Sequence, residues 1–509
     1  MSKKYIPYVV IILDGFGIAP KHDGNAVELA KKPVYNSLKK KFAYTELRAH
    51  GKYVGLEDDK TSGSEVGHIN IGAGRIVEQD ALIINQAIRD GSFFKNEAFL
   101  GAIEHVKKNK SSLHLMGLMS NNDSPHSNFS HFKSLVKLAK KKDIEKLFIH
   151  LFTDGRDSAP KSAKQHLREW GQVLKEFDIG KIASIGGRFY AMDRTKNWER
   201  LKIAYNCLVN SKGDKANNAF EAIDQAYSKV NSDEYIPPTV IYEKNKPVAN
   251  IKDNDAVIFF NLRSDRARQF TKLFVLKNPQ EFVRPKPFLK NLFFVTLTGF
   301  GPKINVETAF NGEIIPKTLP RLVNKKQLYI TETEKFSHVT YFLNGKCPHP
   351  VNSESRIMIP SPKTENYAET PHMSASIITD VVVRYIQEES YEFIFINFAN
   401  PDMLGHTGNI KAAVEGISFL DKCLGKIYKR VCQKGGILFI CSDHGNADEM
   451  SDRLTGEKIT YHTKNKVPLI VSSKRIKELE AGGCLANLAP TILKTLDQPI
   501  PQIMDKPLY

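Results

Sequence analysis

Aspartate and histidine recur in this sequence at places where apolar runs end. Asp14 follows Tyr8–Leu13, Asp402 and His406 stand four apart just past Phe393–Phe398, Asp443 and His444 directly follow Ile437–Cys441, and His462 completes the set. Carboxylate oxygens together with imidazole nitrogens suit borderline divalent ions such as Mn²⁺ or Zn²⁺. No cysteine joins these clusters, which argues against a structural zinc site. A lone aspartate at a strand end is usually a turn residue, but four such placements in one chain point to a metal centre. Ser64, in Gly63-Ser64-Glu65-Val66-Gly67-His68, adds a hydroxyl that metal coordination would turn into a nucleophile. With it the ligands number seven, which fits two ions rather than one. The motif is not a nucleophile elbow, because Gly63 directly precedes the serine and the segment before it is polar.

The middle of the chain carries arginine instead. Asp154-Gly155-Arg156-Asp157 closes the run Leu147–Phe152, Arg188 and Arg194 follow Lys181–Ile185, and Arg263 and Arg266 follow Ala256–Phe260. The planar guanidinium fork binds phosphate and carboxylate bidentately. Its recurrence at several strand ends points to a small, highly anionic substrate. Asp157, beside these arginines, is of the type that transfers protons.

The runs that precede these clusters are continuously apolar rather than alternating; Leu113–Met119, Leu292–Leu297 and Val467–Val471 are further examples. That pattern suits strands buried on both faces of a parallel sheet. Between them lie helical stretches such as Ile410–Lys434, with apolar residues three and four apart and Gly435-Gly436 as its stop. The class is α/β. In such sheets ligands bind beyond the carboxyl ends of the strands, where the polar clusters fall. Asp and His lie toward the two chain ends and Arg in the middle, so the simplest architecture is a metal-type domain built from both ends with an anion-binding domain inserted. Boundaries are expected at residues 1–77, 78–311 and 312–509.

With 509 residues, 41% hydrophobic and 25% charged, the chain is of ordinary globular composition. Its net charge of +17 lies largely in short lysine clusters such as Lys107–Lys110, which read as solvated surface. No aromatic interleaving or reader motif suggests nucleic-acid binding, and no apolar stretch is long enough to span a membrane. Tyr5–Leu13 is too short, and too soon closed by Asp14, for a signal peptide, and reads as a buried strand. The six cysteines lack CxxC spacing and read as reduced thiols of a cytoplasmic protein.

Longer strings carry a resemblance. Asp14-Gly15-Phe16-Gly17, Ser64 through Arg75 (SEVGHINIGAGR), Asp154 through Asp157, Arg188 through Arg194 (RFYAMDR), Thr333-Glu334-Lys335-Phe336, Asn397 through Gly408 (NFANPDMLGHTG), Ser442 through Asp448 (SDHGNAD) and His462-Thr463 resemble the cofactor-independent phosphoglycerate mutases of the alkaline phosphatase superfamily. The likeness runs nearly the whole chain, in the family's order. It implies a mainly parallel phosphatase-like domain with an inserted α/β transferase domain, the two closing to keep water from a phosphoenzyme. It assigns one metal to Asp402, His406 and His462, and a second to Asp14, Ser64, Asp443 and His444. Ser64 is then the nucleophile, and Asp157 the proton-transfer residue. His126, Arg156, Asp157, Arg188, Arg194, Arg263, Arg266 and Lys335 match substrate-binding positions. Two segments depart from the family pattern: Ser62-Gly63 replaces Gly-Asn, and Ser120–Asn128 is one residue longer before His126. The expected activity is primer-independent interconversion of 3- and 2-phosphoglycerate by a monomer with two ions, Mn²⁺ foremost. The alternative is a metal-dependent phosphatase or phosphopentomutase of the same superfamily, which the arginine-rich middle segment argues against.

Overall fold

A computed structural model describes residues 5–121, 124–277, 279–301, 304–312, 314–364 and 366–509. The chain divides into two compact units, Met1–Gln79 with Glu313–Tyr509, and Asp80–Gly312.

The first unit is built on a seven-stranded sheet in the order Glu354–Ile359, Gln327–Glu332, Phe393–Phe398, Tyr8–Leu13, Ile437–Cys441, Val467–Val471, Ala43–Leu47. Tyr8–Leu13 lies at its centre. Val9, Ile11 and Leu13 pack on one face with Ile394, Ile396 and Leu424, while Val10 and Ile12 pack on the other with Phe395 and Phe439. Burial on both faces is why this strand reads as an unbroken apolar run. The first five strands are parallel. Val467–Val471 departs from the parallel arrangement its run suggested: it pairs antiparallel with both neighbours. The long helix spans Ile410–Gln433, its apolar stripe in the core, and Gly435 beyond it takes φ +65°.

The second unit holds a nine-stranded sheet with the central order Phe293–Thr298, Ala256–Phe259, Leu113–Met119, Leu147–Thr153, Lys181–Gly187, all parallel. Leu113 and Leu115 bury into one core with Phe132 and Trp170, and Met116 and Leu118 into another with Phe259 and Phe270.

Candidate active site

In the first unit Gln327–Glu332, Phe393–Phe398, Tyr8–Leu13 and Ile437–Cys441 are successive parallel neighbours, so their carboxyl ends form one edge. Lys335 stands in the turn after the first, Asp402 and His406 on and just past the short helix after the second, Asp14 after the third, and Asp443 and His444 after the fourth. The antiparallel direction of Val467–Val471 has a functional consequence. Its amino end lies at this same edge, and brings His462 with it. Ser64 is the first residue of the helix Ser64–Ala73, whose amino terminus favours negative charge on that hydroxyl.

The Ser64 hydroxyl donates to Asp14 Oδ1 at 2.9 Å, accepts from Lys335 Nζ at 2.6 Å, and lies 3.0 Å from His444 Nε2. Lys335 Nζ also donates to Asp14 Oδ1 (2.7 Å) and Asp402 Oδ2 (2.5 Å). Burial opposes the Lys335 charge, but the Asp14, Asp402 and Asp443 carboxylates outweigh it and raise the ammonium well above the usual lysine range. Burial likewise disfavours an imidazolium at His444, yet Asp443, Asp402 and Asp14 push this group up to about 10. Asp14 is driven the opposite way: burial would raise it, and Lys335 and His444 hold it ionised far below its ordinary value.

Two groups of side chains could hold a metal ion: Asp402, His406 and His462, and Asp14, Asp443 and His444, the ligand atoms within each group lying within 4.8 Å of one another. The donors fit that role. His406 Nδ1 donates to Thr460 O (2.7 Å), His462 Nδ1 to Ser62 O (2.7 Å) and His444 Nδ1 to Gly445 O (3.2 Å), turning all three Nε2 atoms toward the carboxylates. Asp443 Oδ2, buried, accepts no hydrogen bond among the described residues. At the Ser62-Gly63 departure, Ser62 acts through its carbonyl, and a Cβ on Gly63 would lie 2.9 Å from His462 Cε1.

In the second unit the polar clusters again follow neighbouring parallel strands. Asp154 Oδ1 accepts from the backbone N–H groups of Arg156 (3.1 Å) and Asp157 (2.9 Å), folding that loop back, and from Arg188 Nη1 at 2.7 Å. Arg188 Nη1 also reaches Asp157 Oδ2 at 2.5 Å, and His126 Nε2 lies 3.8 Å from the same oxygen. Arg188 is buried, and among the described residues its Nε and Nη2 have no hydrogen-bond partner. Burial lowers Arg266 to about 10, helped by Arg194, Arg156 and Arg188. Burial, then Arg188, Arg263, Arg266 and Arg194, hold His126 neutral, well below the usual histidine range. The predicted arginines, His126 and Asp157 are thus electrostatic neighbours. Arg156 itself points to Glu234 (3.5 Å) and Arg194 to Asp265 (3.8 Å). Of the departure before His126, Asn122 and Asp123 lie outside the described residues.

Comparison with known proteins adds the family. The family model described as "BPG-independent PGAM N-terminus" matches residues 84–302. A 2,3-bisphosphoglycerate-independent phosphoglycerate mutase of Clostridium botulinum (strain ATCC 19397 / Type A) is 47% identical over 508 residues, covering 99% of each chain. The chain belongs to this family of mutases. A second mutase of the same description, from Clostridium perfringens (strain SM101 / Type A), is 46% identical over 510 residues, 99% of this chain and 98% of its own. A crystal structure of Leishmania mexicana phosphoglycerate mutase at low cobalt concentration superposes with a TM-score of 0.87 at 28% identity, covering 100% of this chain and 98% of that one.

The structure of this mutase also brings in residues whose types alone gave no reason to select them. Asn397 Nδ2 donates to Asp14 Oδ2 (2.7 Å), and Asn446 Nδ2 to Asp402 Oδ1 (2.9 Å), so each carboxylate has one oxygen clamped by an amide. His68 stands four residues after Ser64, one turn along its helix. Helical spacing was the one signal that could have placed it over the serine. Asp154, which orients both Asp157 and Arg188, was visible only as part of its motif.

Proposed function

We infer that this mutase interconverts 3-phosphoglycerate and 2-phosphoglycerate, in glycolysis and gluconeogenesis, through a phosphoserine at Ser64 and without a bisphosphoglycerate primer. The observation that carries the site assignment is the Ser64 hydroxyl at a helix amino terminus, between Asp14, His444 and Lys335. Asp402, His406 and His462 would hold one divalent ion, and Asp14, Ser64, Asp443 and His444 another. When bound, the ions lower the pKa of the Ser64 hydroxyl and offset charge on the phosphoryl group. Lys335 holds Ser64 Oγ by a charge-assisted hydrogen bond and stabilises it as negative charge develops. The Ser64 Oγ–phosphorus bond forms as the bond from phosphorus to the glycerate oxygen breaks, and that oxygen takes a proton.

In the second unit Arg188, Arg194, Arg263, Arg266 and Arg156 anchor the glycerate by its charged groups while it turns to present its other hydroxyl. Asp157 exchanges protons with the two hydroxyls, held in place by Arg188. His126, kept neutral, offers a hydrogen-bonding imidazole rather than a cation. Residues 1–77 and 312–509 then act as the metal domain and 78–311 as the substrate-holding domain. Mixed carboxylate and imidazole donors suit Mn²⁺. Both candidate ligand groups are drawn from a single chain, as an active monomer requires. The free state of all six cysteines agrees with a reducing cytoplasm.

The deciding experiment is a mutase assay without primer, with and without chelator, together with mapping of phosphate on enzyme quenched during turnover. Activity should vanish on chelation and return with Mn²⁺, and phosphate should sit on the peptide containing Ser64. Ser64→Ala should fold and lose turnover. Phosphate on a histidine instead would overturn the reading.

A further inference from the structure

We propose that His68 and Asn397 act as a linked positioning pair that fixes where Ser64, Asp14 and Asp443 stand relative to one another. The proposal rests on the assignment of Ser64 as nucleophile and of the two aspartates as metal donors. The Ser64 hydroxyl is held by Asp14, His444 and Lys335 and not by either member of the pair, so their part is orientation rather than chemistry.

His68 is fully buried. Its Nδ1 lies 2.8 Å from Ser64 O and 3.2 Å from Asp443 Oδ2, and its Nε2 lies 3.2 Å from Asn397 Nδ2. The same amide nitrogen is 2.7 Å from Asp14 Oδ2. Counting donors leaves one consistent arrangement. The two Asn397 Nδ2 hydrogens go to the Asp14 carboxylate and to His68. His68 Nε2 must therefore accept, which places the ring proton on Nδ1, where it donates to Ser64 O and faces Asp443. The other tautomer would set two N–H groups head to head between His68 and Asn397. Turning the amide around would set its oxygen against the Asp14 carboxylate. Each alternative breaks a contact, so the pair enforces one geometry.

Packing locks that geometry. The imidazole sits against the rings of His338 and Phe395, with centroids 5.8 and 6.3 Å away. Gly67 lets the helix approach closely, since a Cβ there would lie 2.7 Å from Asp443 O and 2.8 Å from Asp443 Cβ. The chain of contacts Asp14–Asn397–His68–Ser64 and Asp443 thus joins residues from four separate stretches of sequence. It also decides which Asp14 oxygen faces Ser64: Oδ2 is held by Asn397, leaving Oδ1 for the serine hydroxyl and Lys335.

The test uses the full-length enzyme with His68→Asn, His68→Leu, Asn397→Leu and the double variant His68→Leu/Asn397→Leu. An asparagine amide can occupy the place of Nδ1, so His68→Asn should keep the Ser64 contact and recover most of the activity lost in His68→Leu. The two leucine variants should lower kcat and weaken calorimetric Mn²⁺ binding to the chelated protein by roughly 10–100-fold each, with KM for phosphoglycerate changed less than about threefold. Because the two residues act through one chain of contacts, the double variant should be little worse than either single one. If a leucine variant does not fold, His68→Asn against His68→Gln gives the same comparison. The proposal is overturned if Mn²⁺ affinity and kcat are unchanged, if the two losses multiply, or if His68→Asn is no better than His68→Gln. Phosphate mapped to a residue other than Ser64 in the wild-type enzyme would instead defeat the functional reading beneath it.

Discussion

His444 shows how a single proton reports on the centre. Without a metal, burial works against its charged form and the three neighbouring aspartates prevail, raising it to about 10. A raised value means the imidazole holds its proton at every pH below about 10, so a metal that takes Nε2 must displace it. Metal uptake at neutral pH is therefore expected to release protons and to weaken as pH falls. Calorimetric titration of chelated enzyme with Mn²⁺, in buffers of different ionisation enthalpy, reads the proton release directly; a buffer-independent heat would contradict it. At this scale the candidate donors were conspicuous in the sequence and their supports were not. Asp14, Asp402 and Asp443 stood out because an acidic residue closing an apolar run is conspicuous. Asn397 and Asn446 did not, since an amide becomes meaningful only when folding sets it against a carboxylate. Lys335, matched to substrate binding by its motif, proves to hydrogen-bond Ser64, Asp14 and Asp402.

Among the elements, the helix Ser64–Ala73 carries the tightest constraint. A methyl at residue 67 would meet the Asp443 backbone, which has no flexible end to swing aside. Gly67→Ala should cost about 1–3 kcal/mol of stability and depress turnover by displacing Ser64 from its partners. Denaturant unfolding and a mutase assay on the same preparation check both effects. In the second unit, two buried histidines set an acid limit. Burial lowers His131 to about 3 from the ordinary 6.5, and burial with His114 nearby lowers His150 well below its ordinary value. Both stay neutral in the fold while the unfolded chain protonates below 6.5. Stability is therefore full above that pH and falls by up to about 1.4 kcal/mol per pH unit per group below it, for His131 until pH 3 is approached. Urea melts at pH 7 and 5 should show the loss, and His131→Gln should reduce it. The strands themselves were legible where they are buried on both faces: Tyr8–Leu13, Leu113–Met119, Phe393–Phe398 and Ile437–Cys441 form as their apolar runs indicate. Gln327–Glu332, Glu354–Ile359 and Ala43–Leu47 did not stand out, because polar residues interrupt them; the last two are sheet edges. The reversed direction of Val467–Val471 was also hidden, since an apolar run carries no sign of which way it points.

For the molecule as a whole, the division of labour predicts a split between two activities. Arg263→Ala should lower mutase turnover about 10–100-fold, the scale of a lost charge-assisted contact, while leaving most of any slow phosphate release. Asp443→Ala should lower both together. Both rates measured side by side decide it, and equal loss of both activities in Arg263→Ala would remove the separate role for the second unit. The central position of Tyr8–Leu13 carries a further consequence, for synthesis. Its sheet partners are Phe393–Phe398 and Ile437–Cys441, with Tyr8 opposite Phe393 and Ile437. On a ribosome moving at about 5–20 residues per second, this strand waits roughly 20–80 s for its first central neighbour. The residues of the second unit form an uninterrupted segment and emerge complete before that neighbour does. The nascent chain should therefore carry a finished inserted unit and an unpaired, fully apolar strand side by side, a natural client for a holding chaperone. Ribosome-bound chains stalled close to residue 390, with the inserted unit clear of the ribosome, should protect that unit from protease while Tyr8–Leu13 remains open to it.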